Sequence, residues 1–305
     1  MSARAKSERA QPVSARAESE RAQPVSARAK SGQARPVNAR IVRVLALLLL
    51  AVLVLFPVYF TVVGSVMGPG DIASAPPSLY PHSLTFANYR GVFRAVPLGR
   101  QYLNSTLVAV LITLAQLTCA VLSAYAFVFL ALPFRRTLFA VFLFTLMVPW
   151  ESIIIPNFLF MADHQLRNTY LALVLPFLAG GFGTFLLRQS FRTFPVELRD
   201  AATLDGASHG RFLLTILLPL SRPALASVGI FVFLSAWNQF LWPLLITDSP
   251  QRQTLQIGLA SLNDAEQANP GLIMAGVTLA LLPTAALVAF GQRFLIRGLT
   301  AGAVR

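Results

Sequence analysis

The sequence predicts an all-α integral membrane protein with six transmembrane helices and a cytoplasmic loop of short helices between the fourth and fifth. Three observations lead there. Hydrophobic residues make up 55% of the 305 positions and charged residues 12%, about half the charged share of a soluble globular chain. Six apolar stretches are long enough to cross about 30 Å of hydrocarbon. The Lys and Arg residues between them alternate in density from one connection to the next, the pattern that sets orientation in a bilayer.

The chain opens on a basic segment, residues 1–40, ahead of a transmembrane domain over 41–305. The net charge is +13, yet ten of the 25 Lys and Arg residues fall in the first 43 positions, against three Glu. Residues 2–13, 14–25 and 26–37 are near copies of one unit, each closing on Pro-Val. A unit so poor in large apolar residues cannot bury a core, so the segment reads as a disordered basic tail and not a solenoid. Contact with anionic membrane lipids is the alternative to a merely solvated tail. A charge concentrated in a tail beside membrane spans does not point to nucleic acid.

The first span, 44–66, has Arg40 and Arg43 before it and Ala73-Ser74-Ala75 after it. Its apolar run exceeds that of a signal peptide and five more spans follow, so it reads as an uncleaved anchor. The loop 67–102, with Gly68-Pro69-Gly70, Pro76-Pro77 and Pro81 among Tyr80, Phe86 and Tyr89, reads as a short ordered cap too small for a core of its own. Spans two to four are 107–130, 137–161 and 170–187; spans five and six are 223–247 and 272–291. Cys119 lies inside span two and reads as helix packing, with no second cysteine for a disulfide or a thiolate metal site. His82, His164 and His209 are scattered over separate loops and make no metal site.

A cytoplasmic N-terminus leaves Arg90, Arg94, Arg100, Arg167 and Arg252 outside and the other 20 Lys and Arg residues inside, with both termini cytoplasmic. Within the spans, Glu151 and Asn157 lie near Pro149 and Pro156 beside Trp150. An ionised carboxylate there is costly unless it faces water or a partner. Trp237 and Asn238 fall near the middle of span five, where an indole face beside an amide suits a sugar; a packed Trp and an interhelical amide bond explain them equally well. These four are the substrate-pathway candidates.

Residues 188–222 are too polar to cross and too patterned for a linker. Pro195 suits the start of a helix, with Glu197 and Asp200 in the turns where the helix dipole favours negative charge. Leu198, Ala201, Ala202 and Leu204 form a small apolar face. After Asp205, Gly206 takes the position where a helix ends in a left-handed turn. Ala207 follows, and Ser208 can cap a second helix in which Phe212, Leu213, Ile216 and Leu217 recur at helical spacing as far as Pro219. An interfacial helix pair, a DNA-reading helix-turn-helix and a helix docking into a groove of a cytoplasmic protein all use such a pattern. The last fits best, because small Ala residues let a short helix sit deep in a cleft, and a loop pinned at both ends to a bilayer cannot follow a major groove.

The order Asp200-Ala201-Ala202, Asp205-Gly206-Ala207, then Leu218-Pro219 resembles the cytoplasmic coupling loop of ATP-binding cassette (ABC) importer permeases, specifically the maltose-transporter-like carbohydrate importers. The likeness runs from about Tyr80 to the C-terminus, through Asn88-Tyr89, Asn104-Ser105, Val148-Pro149, Ile155-Pro156, Asn168-Thr169-Tyr170, Leu175-Pro176, 185–189, Trp237-Asn238-Gln239-Phe240, Gln292-Arg293-Phe294 and 298–302. One departure is Asp200, where the family has Glu. The repeated tail has no counterpart in the family.

The resemblance implies a permease subunit that pairs with a second, similar permease, sits on a cytoplasmic ATPase dimer, and receives a sugar or polyol phosphate from an extracytoplasmic solute-binding protein. Transport then proceeds by alternating access, with the loop as the link to the ATPase. The chain has no Gly-x-x-x-x-Gly-Lys-Ser/Thr loop to cradle phosphates; ATP and Mg belong to the partner, and this chain is no enzyme and binds no cofactor. The alternatives are a permease for peptides or amino acids, a membrane-embedded hydrolase using Glu151 with His164, and a scaffold.

Overall fold

The computed structural model describes residues 37–74, 76, 78–263 and 269–300. The expected basic tail therefore lies outside the described residues as far as position 36, as do 301–305 at the end of the family likeness. Among the described residues the regular elements are helical, with one isolated bridge between Met67 and Leu84.

The chain divides into a unit ending at Val54 and a unit from Leu55 onward. The described part of the first is residues 37–54 of helix α1 (Val37–Gly64), and its side chains from Ile41 to Val54 are all exposed. An apolar helix with no polar face is what a bilayer accommodates.

In the second unit, α2 (Pro69–Ile72) and α3 (Ala87–Ala95) build the expected cap. Asn88 holds it, its Nδ2 donating to the carbonyls of Ser65 at 3.0 Å and Met67 at 2.9 Å. Asp71 accepts from the His82 backbone N–H at 3.1 Å and lies 3.0 Å from its Nδ1.

The central helix is α4 (Leu98–Phe129), 32 residues and about 48 Å long. It begins well before the expected start of span two. Its first turns carry Gln101, Asn104 and Ser105, which hydropathy alone assigns to a loop, but all three are buried. Asn104 Nδ2 donates to the carbonyls of Gln251 and Gln253, and Ser105 Oγ accepts from the Leu255 N–H. At this end Arg100 donates to the Tyr170 hydroxyl, Arg252 lies over the Tyr170 ring, and Arg167 pairs with Asp248 at 2.7 Å.

α1, α4 and α15 (Pro270–Thr300) are each long and apolar enough to cross a membrane over Ile41–Gly64, Leu98–Phe129 and Pro270–Gln292. The other three expected spans are not single rods. Span three is α5 (Arg135–Thr145) and α6 (Trp150–Asp163), bent by 84°. Pro149 explains the break, because its ring opposes the carbonyl four residues back, and that residue, Thr145, is where α5 stops. Span four is α7 (Tyr170–Val174), a 3₁₀ turn Leu175–Phe177 containing Pro176, and α8 (Gly181–Arg192), bent by 45°. Gln116 of α4 closes this break by donating to the Phe177 carbonyl at 2.8 Å, and its amide fills the space a side chain at Gly180 would need.

Span five differs most from expectation. α12 (Arg222–Trp237) meets the segment His209–Leu220 at 80° and ends at Trp237, and the chain restarts as α13 (Leu241–Ile246). Pro243 accounts for the restart: in a continuous helix it would clash at Gln239, whereas in the first turn of α13 its missing N–H costs nothing. α14 (Leu255–Ser261) precedes α15.

The core lies where α4, α8 and α12 meet. A Cβ on Gly183 would stand 3.1 Å from Val228 Cγ1 and 3.2 Å from Ala120 Cβ, the close approach that small residues give membrane helices. Cys119 is exposed and not packed as expected. It lines an open apolar groove of about 620 Å³ with Leu114, Thr118 and Leu171.

Candidate functional site

The loop 188–222 forms two short helices joined by a glycine turn. α9 (Val196–Leu204) begins after Pro195 and carries Glu197 in its first turn. It ends in a Schellman motif, in which the Ala207 N–H donates to the Ala202 carbonyl at 2.9 Å and the Gly206 N–H to the Thr203 carbonyl at 3.0 Å. Gly206 has φ +71°, the left-handed conformation that the motif demands. Ala202 is buried and Ala207 half-buried, the two positions at which such a turn commonly carries an apolar contact.

α10 (His209–Phe212) follows, capped by Ser208, whose Oγ accepts from the Arg211 N–H at 3.3 Å. It continues through a π-helical segment, Leu213–Leu217, into α11 (Leu218–Leu220). In the π segment the Leu218 N–H reaches the Leu213 carbonyl, five residues back. The widened turn sits just ahead of Pro219, which could not continue a regular helix here.

The expected apolar face of α9 is largely open in this chain. Only Ala202 turns inward; Leu198, Ala201 and Leu204 are exposed, Leu204 at 89%, as are Val196, Glu197, Asp200 and Asp205. A helix of nine residues that offers leucine, valine and two carboxylates to solvent, with Asp205 at its cap, has little to hold it in water, and such a face is suited to another protein's groove.

What holds α9 and α10 is a cluster of rings that the sequence reading missed. Phe129 at the end of α4 lies 5.4 Å from Phe212, 6.3 Å from Phe191 and 6.4 Å from Phe194, and Phe194 lies 5.8 Å from Phe212. Arg199 of α9 lies over the Phe129 ring, and the Tyr125 hydroxyl is 2.7 Å from His209 Nδ1. Three separate segments supply these rings, so no local spacing marks them. Of these rings the sequence marked only Phe212, through its helical spacing with Leu213, Ile216 and Leu217.

The four pathway candidates are not brought together. Glu151 is exposed in the first turn of α6, and Asn157 is spent on the Ile153 carbonyl at 2.8 Å. Trp150 packs 4.5 Å from Phe177 and edge-on to Trp242. Trp237 and Asn238 lie at the end of α12, at the break before α13. Trp237 is buried against Phe233 and Tyr102 with its Nε1 unpartnered, and Asn238 donates to the Leu234 carbonyl at 2.8 Å while exposed.

Glu151 and His164 stand at opposite ends of α6, about 20 Å apart along the helix, so the acid/base pair of the hydrolase alternative does not form. His82, His164 and His209 bind Asp71, the Phe160 carbonyl and Tyr125 respectively. Among the described residues no three His, Cys, Asp or Glu side chains gather to hold a metal.

With this geometry in place, comparison with known proteins gives the following. The family described as binding-protein-dependent transport system inner membrane component matches residues 116–301. The chain is 39% identical over 269 residues to the sn-glycerol-3-phosphate transport system permease protein UgpE of Agrobacterium fabrum, covering 85% of this chain and 95% of that one. It is 37% identical over 264 residues to the protein of the same name from Rhizobium meliloti, covering 84% and 94%. Its fold is similar to a chain of a bacterial ABC transporter involved in the import of the acidic polysaccharide alginate, with TM-score 0.74 and 22% identity over 83% of this chain and 95% of that one.

Proposed function

This chain belongs to the family of binding-protein-dependent transport system inner membrane components, and on that premise we propose that it passes a small phosphorylated polyol of the glycerol 3-phosphate kind. It is a multi-pass inner-membrane permease subunit of an ABC importer and not an enzyme. The substrate rests on one observation, the near full-length identity to proteins named for sn-glycerol 3-phosphate. A neutral sugar is the second reading, carried by the buried Trp237 whose indole N–H has no protein partner.

In the assembly the chain pairs with a second, similar permease, stands on a cytoplasmic ATPase dimer that uses the ATP and Mg, and receives substrate from an extracytoplasmic solute-binding protein. The end of α4 at Phe129 and both termini are cytoplasmic, and the end at Arg100, Tyr170 and Arg252 faces the binding protein. Glu197, Asp200, Asp205 and the exposed leucines of α9 enter a groove on the ATPase. When the ATPases close on nucleotide, α9 moves with that groove. The Schellman turn at Gly206 keeps α10 at a fixed angle to α9, so the displacement reaches α12 through the π segment and the 80° bend, and reaches α4 through the ring cluster at Phe129. The spans then tilt to open the pathway to the other side.

The experiment is uptake into vesicles holding the chain with its partner subunits and binding protein. ATP-dependent uptake of glycerol 3-phosphate that excess maltose or a dipeptide does not compete away supports the reading. Competition by maltose moves the substrate to neutral sugars, and competition by the dipeptide moves it to peptides.

A further inference from the structure

The coupling geometry leaves three arginines at the edge between α5 and α8 unexplained. The two helices run antiparallel: Gly181 of α8 faces Leu146 and Phe142 of α5, and further along Arg188 places its guanidinium 3.7 Å from the centroid of the Phe139 ring. One more turn on each helix brings Arg192 level with Arg135, because residues four apart share a face. Arg192 and Arg135 both act on Arg188 as like charges. None of the three has a carboxylate partner among the described residues, where the ion pairs are His82–Asp71 and Arg167–Asp248. The Nε of Arg188 is buried without a hydrogen-bond partner among the described residues.

Three guanidinium groups at one edge with no acid call for an anion, and the planar fork of donors matches phosphate oxygens two at a time. The surroundings say which phosphate. From the arginines the outer face of α5 runs along the span with Leu138, Val141 and Phe144 exposed at 47%, 58% and 67%. A free phosphate would use only the guanidinium groups; a phospholipid would use both these and the apolar strip beneath them. Basic pockets between membrane helices on the cytoplasmic side suit anionic headgroups for this reason.

We propose that Arg135, Arg188 and Arg192 hold the phosphate of an anionic phospholipid whose acyl chains lie along Leu138, Val141 and Phe144. The site rests on the proposed function only for its placement at the cytoplasmic leaflet.

The test is native mass spectrometry of the full chain with its partner subunits, purified from membranes containing phosphatidylglycerol and phosphatidylcholine. The wild-type complex is expected to retain phosphatidylglycerol in excess of its share in the membrane, and excess inorganic phosphate should not displace it. Arg135→Gln, Arg188→Gln and Arg192→Gln should each lower retention roughly fivefold, and the three Lys variants should keep most of it. Retention of phosphatidylglycerol by the wild type only in proportion to the membrane overturns the proposal without recourse to any variant. Displacement by inorganic phosphate overturns it in favour of a free-anion site. Gln variants that keep the lipid but lose the ATPase overturn it in favour of a carboxylate on the ATPase. Uptake of glycerol 3-phosphate is a separate readout, so failure here leaves the transport reading standing.

Discussion

Replacing Gly206 isolates the conformational demand of the loop from any steric one. At φ +71° nothing lies within 4 Å of where a Cβ would stand, so Gly206→Val meets no clash and its cost is backbone strain. A β-branched residue in the left-handed region costs about 1–3 kcal/mol, and Asn, which tolerates that region, costs much less. Opposing the strain are the two hydrogen bonds of the turn, from the Ala207 and Gly206 N–H groups, worth about 0.5–1.5 kcal/mol each. Strain of about 3 kcal/mol exceeds two bonds of about 1 kcal/mol each, so for Val the turn is open in most of the population. The assay is ATP-driven uptake normalised to membrane abundance. Gly206→Val is expected to lower it roughly tenfold, since about 1.4 kcal/mol is one decade, with abundance unchanged because the residue lies outside the spans. Gly206→Asn should stay within about threefold of wild type. A Val variant at the wild-type rate, or an Asn variant as impaired as Val, would refute the argument that a fixed angle between α9 and α10 transmits the stroke.

Asp200→Lys reverses a charge on the exposed face of α9 and should weaken co-purification of the ATPase while leaving abundance normal; unchanged co-purification removes Asp200 from the docking face. Gly183→Leu forces a side chain against Val228 and Ala120 and should cost about 1–3 kcal/mol, read as a lowered melting temperature of the purified complex. Trp237→Phe keeps the packed ring and deletes the unpartnered N–H, so stability should hold; a raised KM for uptake would show that the indole N–H serves the substrate, and an unchanged KM assigns Trp237 to packing. In the outer cap, desolvation pushes the Asp71 carboxyl up, but hydrogen bonds from the His82 backbone and ring and the Ser83 backbone outweigh it and hold the pKa below the usual 3.8. A depressed carboxyl pKa stabilises the fold above the unfolded value and loses that contribution as pH falls through the folded one. Amide exchange in the cap should therefore quicken below about pH 4 in wild type, and Asp71→Asn should remove that step.

The parts of the coupling loop governed by neighbouring residues were legible in the sequence. Gly206 and Ser208 follow local capping rules, and the structure places a left-handed turn at one and a helix cap at the other. The break after Trp237 was also open to such a rule, through Pro243 and the carbonyl four residues before it, but an apolar window averages over both. The early start of α4 was hidden for a different reason. Gln101, Asn104 and Ser105 look solvent-facing until Asn104 and Ser105 meet backbone groups about 150 residues away. The ring cluster under α9 was illegible for the same cause, being gathered from α4, α8, the turn at Phe194 and α10. The apolar face of α9 was legible from helical spacing, but spacing alone could not show that Ala202 turns inward while Leu198, Ala201 and Leu204 stay exposed.

The amide of Gln116 has a consequence for how span four can change shape. A backbone break in hydrocarbon exposes a carbonyl that has lost its helical donor, at a cost of several kcal/mol unless another group replaces it. Gln116 is that replacement for Phe177, and Gly180 keeps the space it occupies clear. The elbow is thus a two-component fitting with its second half on another helix. Straightening the elbow or deepening it must first withdraw a donor from α4, so the angle of span four and the rotation of α4 are geared together. Span four cannot swing as an independent flap; it moves when the central helix turns.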